Sequence, residues 1–333
     1  MRSLPPRPPR NPRNSDAHMD RRYIFETAPF VACHASTIVE CEPDKYLAAW
    51  FAGTQEGAPD VRIWTARSED GIRWTQPDVV AQEQGVPCWN PVLFRERKSG
   101  EIILYYKIGS SPQSWSGFFR RSKDAGRTWG DSYIMPAGLL GPSKNKPLQL
   151  DDGTVLSPTS VESYKNWACW VDRSVDGCRN WTRHGPIYHP KTAHGVTQPT
   201  LLKRRDGSLL LLARSRSIGQ VCMATSRDAG LTWSPALEIA DLPNPNSGID
   251  AVTLADGRHV LVYNPSHIGR TPLAMAVSTD DGATWKQSLV LEQEPGEYSY
   301  PAIIQAADAT LHITYTFNRT RIRHVTLEPK ELT

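Results

Sequence analysis

The chain has 333 residues and a formal net charge of +3. Residues 1–22 hold six arginines against Asp16 and Asp20, a surplus of four that more than accounts for that charge, so the remainder is slightly acidic. Binding to a nucleic-acid backbone needs a concentrated basic face, which this composition lacks outside the tail, and no stretch approaches the roughly 20 apolar residues of a membrane-spanning helix, so neither partner is expected.

The first 22 residues are rich in Pro, Arg and Asn and poor in apolar side chains, which predicts a disordered tail, with one folded domain over 23–333. The tail has no apolar signal-peptide core, so the expected location is the cytosol. Six cysteines (Cys33, Cys41, Cys88, Cys169, Cys178 and Cys222) form no C-x-x-C pair and read as reduced thiols.

From His34 onward two patterns alternate along the chain. One is an apolar run, a turn and a second apolar run, the signature of a β-hairpin. It occurs as HASTIVECEPDKYLAAWF, NPVLFRERKSGEIILYY, KPLQLDDGTVLSP, QPTLLKRRDGSLLLLA, DAVTLADGRHVLVY and YPAIIQAADATLHITY. The other follows each of the first five: SEDGIRW (68–74), SKDAGRTW (122–129), SVDGCRNW (174–181), SRDAGLTW (226–233) and STDDGATW (278–285). Ser and Asp can bond the backbone of a tight turn, Gly supplies positive φ and Trp is a large apolar anchor, so the motif reads as a hairpin staple with no chemistry of its own. Six units of about 50 residues predict an all-β fold, a six-bladed β-propeller. The last unit lacks the motif, and its strand near RIRHVTL (321–327) is expected to close the ring against the N-terminal blade.

The first strand of each propeller blade lines the central channel, so the residues that begin those strands converge near the axis. They are His34, Asn90, Lys146, Gln198, Asp250 and Tyr300, a polar set that core packing explains poorly because unpaired buried polar groups are costly. Lys144, Trp89 and Trp115 lie nearby in sequence; the lysine suits a carboxylate or sulfate, and the tryptophans suit either sugar stacking or blade packing.

The S-x-D-x-G-x-T-W motifs resemble the Asp boxes of the sialidase (neuraminidase) superfamily, whose members hold a substrate carboxylate with three arginines and cleave through a tyrosine assisted by a glutamate, with an aspartate as acid/base. By that resemblance Arg270, before the last box, matches the third arginine. Tyr298 in GEYSYP matches the tyrosine, with Glu297 or Asp250 as its neighbouring base. Asp60 in GTQEGAPDVRIW matches the aspartate, and Glu56 of the same loop is a substrate contact. His34 stands where the first arginine belongs, Gln220 where the second belongs with Arg214 and Arg216 a few residues upstream, and Gln198 where the glutamate belongs. The expected catalytic set is thus Tyr298, Asp60, His34, Glu297 and Asp250. The expected substrate-binding set is Arg270, Arg214, Gln198, Lys146, Asn90, Tyr300 and Glu56.

The resemblance implies an exo-acting glycoside hydrolase on an acidic sugar, with an incomplete arginine triad. Two alternatives stay open: a uronate lyase using His34 and a tyrosine, and a non-catalytic glycan-binding propeller. The expected partner is an acidic glycan. No phosphate-cradling loop, H-E-x-x-H or EF-hand spacing occurs, so neither a cofactor nor a metal is expected.

Overall fold

A computed structural model describes residues 19–332; residues 1–18, most of the expected tail, lie outside them. Six four-stranded antiparallel sheets are arranged as the blades of a propeller. Blades 1 to 5 span 32–81, 88–134, 148–187, 196–243 and 250–292, each with its strands in chain order from the axis outward. Blade 6 takes three strands from 298–327. Its outermost strand, Asp20–Tyr23, comes from the other end of the chain and pairs antiparallel from Asp20↔Thr326 to Tyr23↔Arg323. Arg321–Leu327 is therefore the third strand of its own blade and does not join the N-terminal blade as the sequence reading expected, and Asp20–Arg22 belong to the fold. Stacking holds the seam: the Arg321 and Arg323 guanidiniums lie 4.6 and 4.1 Å from the Tyr23 ring centroid.

The repeated motif joins the third and fourth strands of blades 1 to 5. In the second box the Ser122 hydroxyl donates to Asp124 (2.8 Å), the Gly126 amide donates to Ser122 (2.8 Å), and the Thr128 amide and hydroxyl donate to Asp124 at 2.8 and 2.6 Å. The boxes at Ser226 and Ser278 repeat this geometry, and in the third Asn180 replaces the threonine, donating its side-chain amide to Asp176 at 2.7 Å. Blade 6 draws its third and fourth strands from opposite ends of the chain, so no hairpin joins them and no box is needed.

Each box also grips the blade before it. Trp129 packs with blade 1 residues such as Leu47 and Phe51, Trp233 with Leu156 and Val171 of blade 3, and Trp285 with Leu210 and Leu212 of blade 4. A Cβ on Gly282, whose φ is +82°, would stand 2.3 Å from Leu210 Cδ2, which requires glycine there for both contact and conformation. The tryptophans are half-buried. Trp129→Ala, Trp233→Ala and Trp285→Ala should each cost about 2–3 kcal/mol, below the ~3–5 kcal/mol of a fully buried ring. Thermal melts check this, and unchanged melting temperatures would refute the interblade role.

The seam between blades 6 and 1 buries an imidazole pair. His312 Nδ1 and His324 Nε2 are 3.0 Å apart; Tyr46 stacks on His312 at 4.1 Å and Trp74 meets His324 edge-on at 5.2 Å. Burial pushes His312 down to about 4, partly opposed by Asp308. Burial, with help from His312 and Arg22, holds His324 well below its ordinary range. The unfolded chain therefore binds more protons than the folded chain below pH ~6.5, and stability falls as pH drops from there toward about 4, by an amount on the order of 3 kcal/mol for His312. Melting temperatures between pH 7 and 4.5 should decline in the wild type, and less steeply in His312→Phe, which keeps the stack on Tyr46.

Candidate functional site

Four innermost strands carry the same irregularity. Their ladders shift register between His34 and Thr37, Trp89 and Val92, Thr197 and Thr200, and Ser299 and Ala302. Inside each shift sits one non-glycine residue at positive φ: Ala35 (+55°), Asn90 (+38°), Gln198 (+50°) and Tyr300 (+53°). Such bulges re-aim a side chain toward the centre. They also correct the sequence alignment: Ala35 is the blade 1 counterpart of Tyr300, and His34 is one residue earlier, equivalent to Trp89, Thr197 and Ser299.

Four of the six expected axial residues form a tie across the ring. Asp250 accepts from Thr200 Oγ1 (2.9 Å), the Ile303 amide (2.9 Å), its own neighbour Ala251 (2.9 Å) and Lys146 Nζ (2.8 Å). Lys146 also donates to the Ala251 carbonyl, and Asn145 to those of Gln198 and Pro199. Asn90 donates to the Ser143 carbonyl at 3.1 Å. The Gln198 backbone amide donates to Ser160 Oγ, while its Oε1 is buried with no partner among the described residues. Segment 142–147 of blade 3 thus reaches across to blades 4, 5 and 6, and Asp250 and Lys146 are committed to one another. Removing the acid would strand a cation and three further donors, so Asp250→Ala should cost about 3–5 kcal/mol. Denaturant unfolding measures that cost; a folded, fully stable but inactive variant would contradict the assignment.

The other two, His34 and Tyr300, belong to a second cluster at the mouth. Their rings are 4.2 Å apart. Gly248 backs the tyrosine so closely that a Cβ there would stand 3.1 Å from ring carbons. Arg214 Nη1 donates to the Tyr300 hydroxyl at 2.5 Å, and the Arg214 and Arg270 guanidiniums each lie 5.4 Å from the ring centroid. Lys144 Nζ is 6.0 Å away, bonded to the carbonyls of Ile249 and Pro301; burial pushes it down to about 7. His34 Nδ1 meets Thr316 Oγ1 at 2.9 Å. Burial, then Arg319, Arg270, Arg214 and Lys144, hold the imidazole well below its ordinary range, so it is neutral.

A chain of alternating charge runs from blade 5 through blade 6 to blade 1. Arg270 Nη1 and Arg319 Nε both donate to Glu297 Oε1, at 2.9 and 2.6 Å, and Arg319 Nη1 donates to Glu56 Oε2 at 2.5 Å. Burial raises Glu297, but Arg319 and Arg270 outweigh it and leave the carboxyl below its ordinary range. Arg319 was not anticipated from the sequence. It sits in a tight turn, with Asn318 (φ +50°) and Arg319 (φ +58°) both left-handed, between the second and third strands of blade 6. Glu56 and Arg270 occupy the corresponding loops of blades 1 and 5, a repeat position that would have revealed it. With Arg319, three arginines from three blades come to the mouth, one of them from a position the resemblance did not supply.

The structure does not bring the remaining expected residues into this cluster. Tyr298 packs in the core with Val262, Leu273 and Phe317, its ring 5.2 Å from that of Phe317. Asp60 caps its own loop, accepting from the Thr54 amide (2.9 Å) and hydroxyl (2.6 Å). Gln220 donates to the Ala240 carbonyl. Trp89 is 7% exposed and lies in the core with Phe51, its Nε1 bonded to the Gly109 carbonyl, which settles it as packing.

Residues 44–313 match the BNR repeat-like domain family. The chain belongs to that family. Within it, the six blades and five boxes make this BNR propeller sialidase-like. It is 31% identical over 289 residues to a sialidase from Micromonospora viridifaciens, covering 80% of this chain and 36% of that protein. Identity is 24% over 230 residues to a sialidase from Bacteroides fragilis, covering 64% of this chain and 41% of the other. The propeller thus spans about two fifths or less of the length of these relatives. Among solved structures it is similar to the NanB sialidase of Streptococcus pneumoniae, with a TM-score of 0.78 at 14% identity over 94% of this chain and 71% of that one, a likeness of fold.

Proposed function

We propose that this BNR propeller is an exo-acting glycoside hydrolase that removes a terminal acidic sugar, with sialosides the first candidates. The observation that carries the reading is Tyr300: a re-aimed tyrosine whose hydroxyl is held by Arg214 at 2.5 Å, with the Arg214 and Arg270 guanidiniums against its ring and Arg319 joined to Arg270 through Glu297. In this reading Arg214, Arg270 and Arg319 face the sugar carboxylate, a geometry to which guanidinium forks are suited. Tyr300 Oη bonds to the anomeric carbon as the bond to the leaving oxygen breaks, and the phenol proton is carried to that oxygen by way of Glu56. Glu56, partly exposed at the rim, protonates the leaving oxygen and then activates the water that releases the sugar. The hydrogen bond from Arg214 strengthens as negative charge gathers on the attacking oxygen.

Elimination with His34 as the base is the weaker reading. A buried imidazole surrounded by three arginines and held well below its ordinary range takes up a proton poorly.

Fluorogenic glycosides of N-acetylneuraminic acid, glucuronic acid and galactose test the proposal. Hydrolysis of an acidic substrate without an unsaturated product is expected, and none of the neutral one. Tyr300→Phe should lower kcat by a factor on the order of 10³ or more, while Tyr298→Phe should change stability and leave kcat within severalfold. Full activity in Tyr300→Phe would remove the nucleophile from this scheme.

A further inference from the structure

We infer that Glu297 is a specificity-determining residue of the mouth: its carboxylate neutralises Arg270 and Arg319 in advance, so the site accepts a sugar with one negative charge and rejects one with two. This rests on the acidic-sugar reading above.

The Arg214 and Arg270 guanidiniums lie against Tyr300, Arg319 is joined to Arg270 through Glu297, and the three are not equally available. Arg270 and Arg319 share Glu297 Oε1, and Arg319 spends its other arm on Glu56. Arg214, by contrast, is 5% exposed and, among the described residues, is in no ion pair and has a buried Nε without a partner. Glu162 also acts on Arg214, and Lys144 stands beside the Tyr300 ring, so four cations face the three carboxylates Glu297, Glu56 and Glu162 and leave a surplus of at most one. Lys144 is directed at backbone carbonyls.

Glu297 is also held in place. Its amide donates to Asn318 Oδ1 (2.8 Å), its carbonyl accepts the Asn318 amide (2.8 Å), and Ser299 Oγ donates to its Oε1 (3.2 Å). The carboxylate cannot leave its arginines without loosening the turn that carries one of them. A first substrate anion can still use Arg214 and the free N–H groups of Arg270 and Arg319, whose side chains remain 23% and 30% exposed. A second anion on the same sugar would lie beside Glu297 with no uncommitted cation to meet it, and such like-charge proximity is how sites reject wrong partners.

The test uses the full chain and two probes at constant ionic strength. Inorganic sulfate, titrated by calorimetry, reports the capacity of the mouth for a dianion independently of any sugar. Glu297→Gln should bind it about tenfold or more tightly than the wild type. Glu297→Asp, which keeps the charge, should bind it as weakly as the wild type and guards against a Gln variant that fails to fold. In the second arm, free N-acetylneuraminic acid and a singly sulfated form of it are compared. The wild type should prefer the unsulfated sugar about tenfold or more, and Glu297→Gln should lose that preference. Equal sulfate affinity in wild type and Glu297→Gln, or an Asp variant that binds sulfate as tightly as Gln, would overturn the inference. If sulfate discriminates as expected but neither sugar binds, the charge limit stands and the acidic-sugar reading fails.

Discussion

The mouth of this propeller depends on how the ring is closed. Pairing of Asp20–Tyr23 with Arg321–Leu327 completes blade 6 from both ends of the chain and holds it against blade 1. The closure also fixes the turn between the second and third strands, where the Arg319 carbonyl accepts the Cys33 amide of blade 1 at 2.7 Å. Arg319 of blade 6 reaches Glu56 of blade 1 across that seam, while Glu297 joins Arg319 to Arg270 of blade 5. Full closure removes exposed sheet edges, and here the same device assembles the charged side chains.

Two polar systems share the axis and do different work. One is the tie of Lys146, Asp250 and Thr200, in which the buried carboxylate and its cation satisfy one another and which, with the Ile303 amide, holds four blades together. The other is the cluster of Tyr300, His34 and three arginines, which retains unmet capacity in the Arg214 Nε and the outward N–H groups of Arg270 and Arg319. A satisfied network gives rigidity, whereas unmet capacity in a concave place is what a ligand completes. The division explains why equivalent repeat positions, all polar, do not share a role.

The fold was legible because it is periodic. Box serines spaced 52 to 54 residues apart, each followed by Asp and Trp, fix the number of blades and the place of the hairpins. The site was less legible because it depends on departures from regularity. Tyr298 and Tyr300 are two residues apart, and in a regular strand both would face the same way. The bulge at Tyr300 breaks that alternation and sends one ring to the core and the other to the mouth. The same bulge shifts the repeat alignment from His34 to Ala35. Arg319 lies in a three-residue turn with no motif around it, so only its repeat position, the loop between second and third strands that carries Glu56 and Arg270 in other blades, signals it in the sequence. The crossing of segment 142–147 was hidden for a similar reason: nothing local says that Lys146, just before Pro147, will reach a carboxylate 104 residues away.

The central claim is that chemistry passes through Tyr300, and covalent trapping tests it most directly. The protein would be incubated with a fluorinated acidic-sugar analogue that slows release of a glycosyl–enzyme intermediate, then digested and read by mass spectrometry. The account predicts one sugar adduct per chain, on the phenol oxygen of Tyr300. An adduct on Tyr298 or on a carboxylate, or turnover of the parent substrate with no adduct, would contradict it.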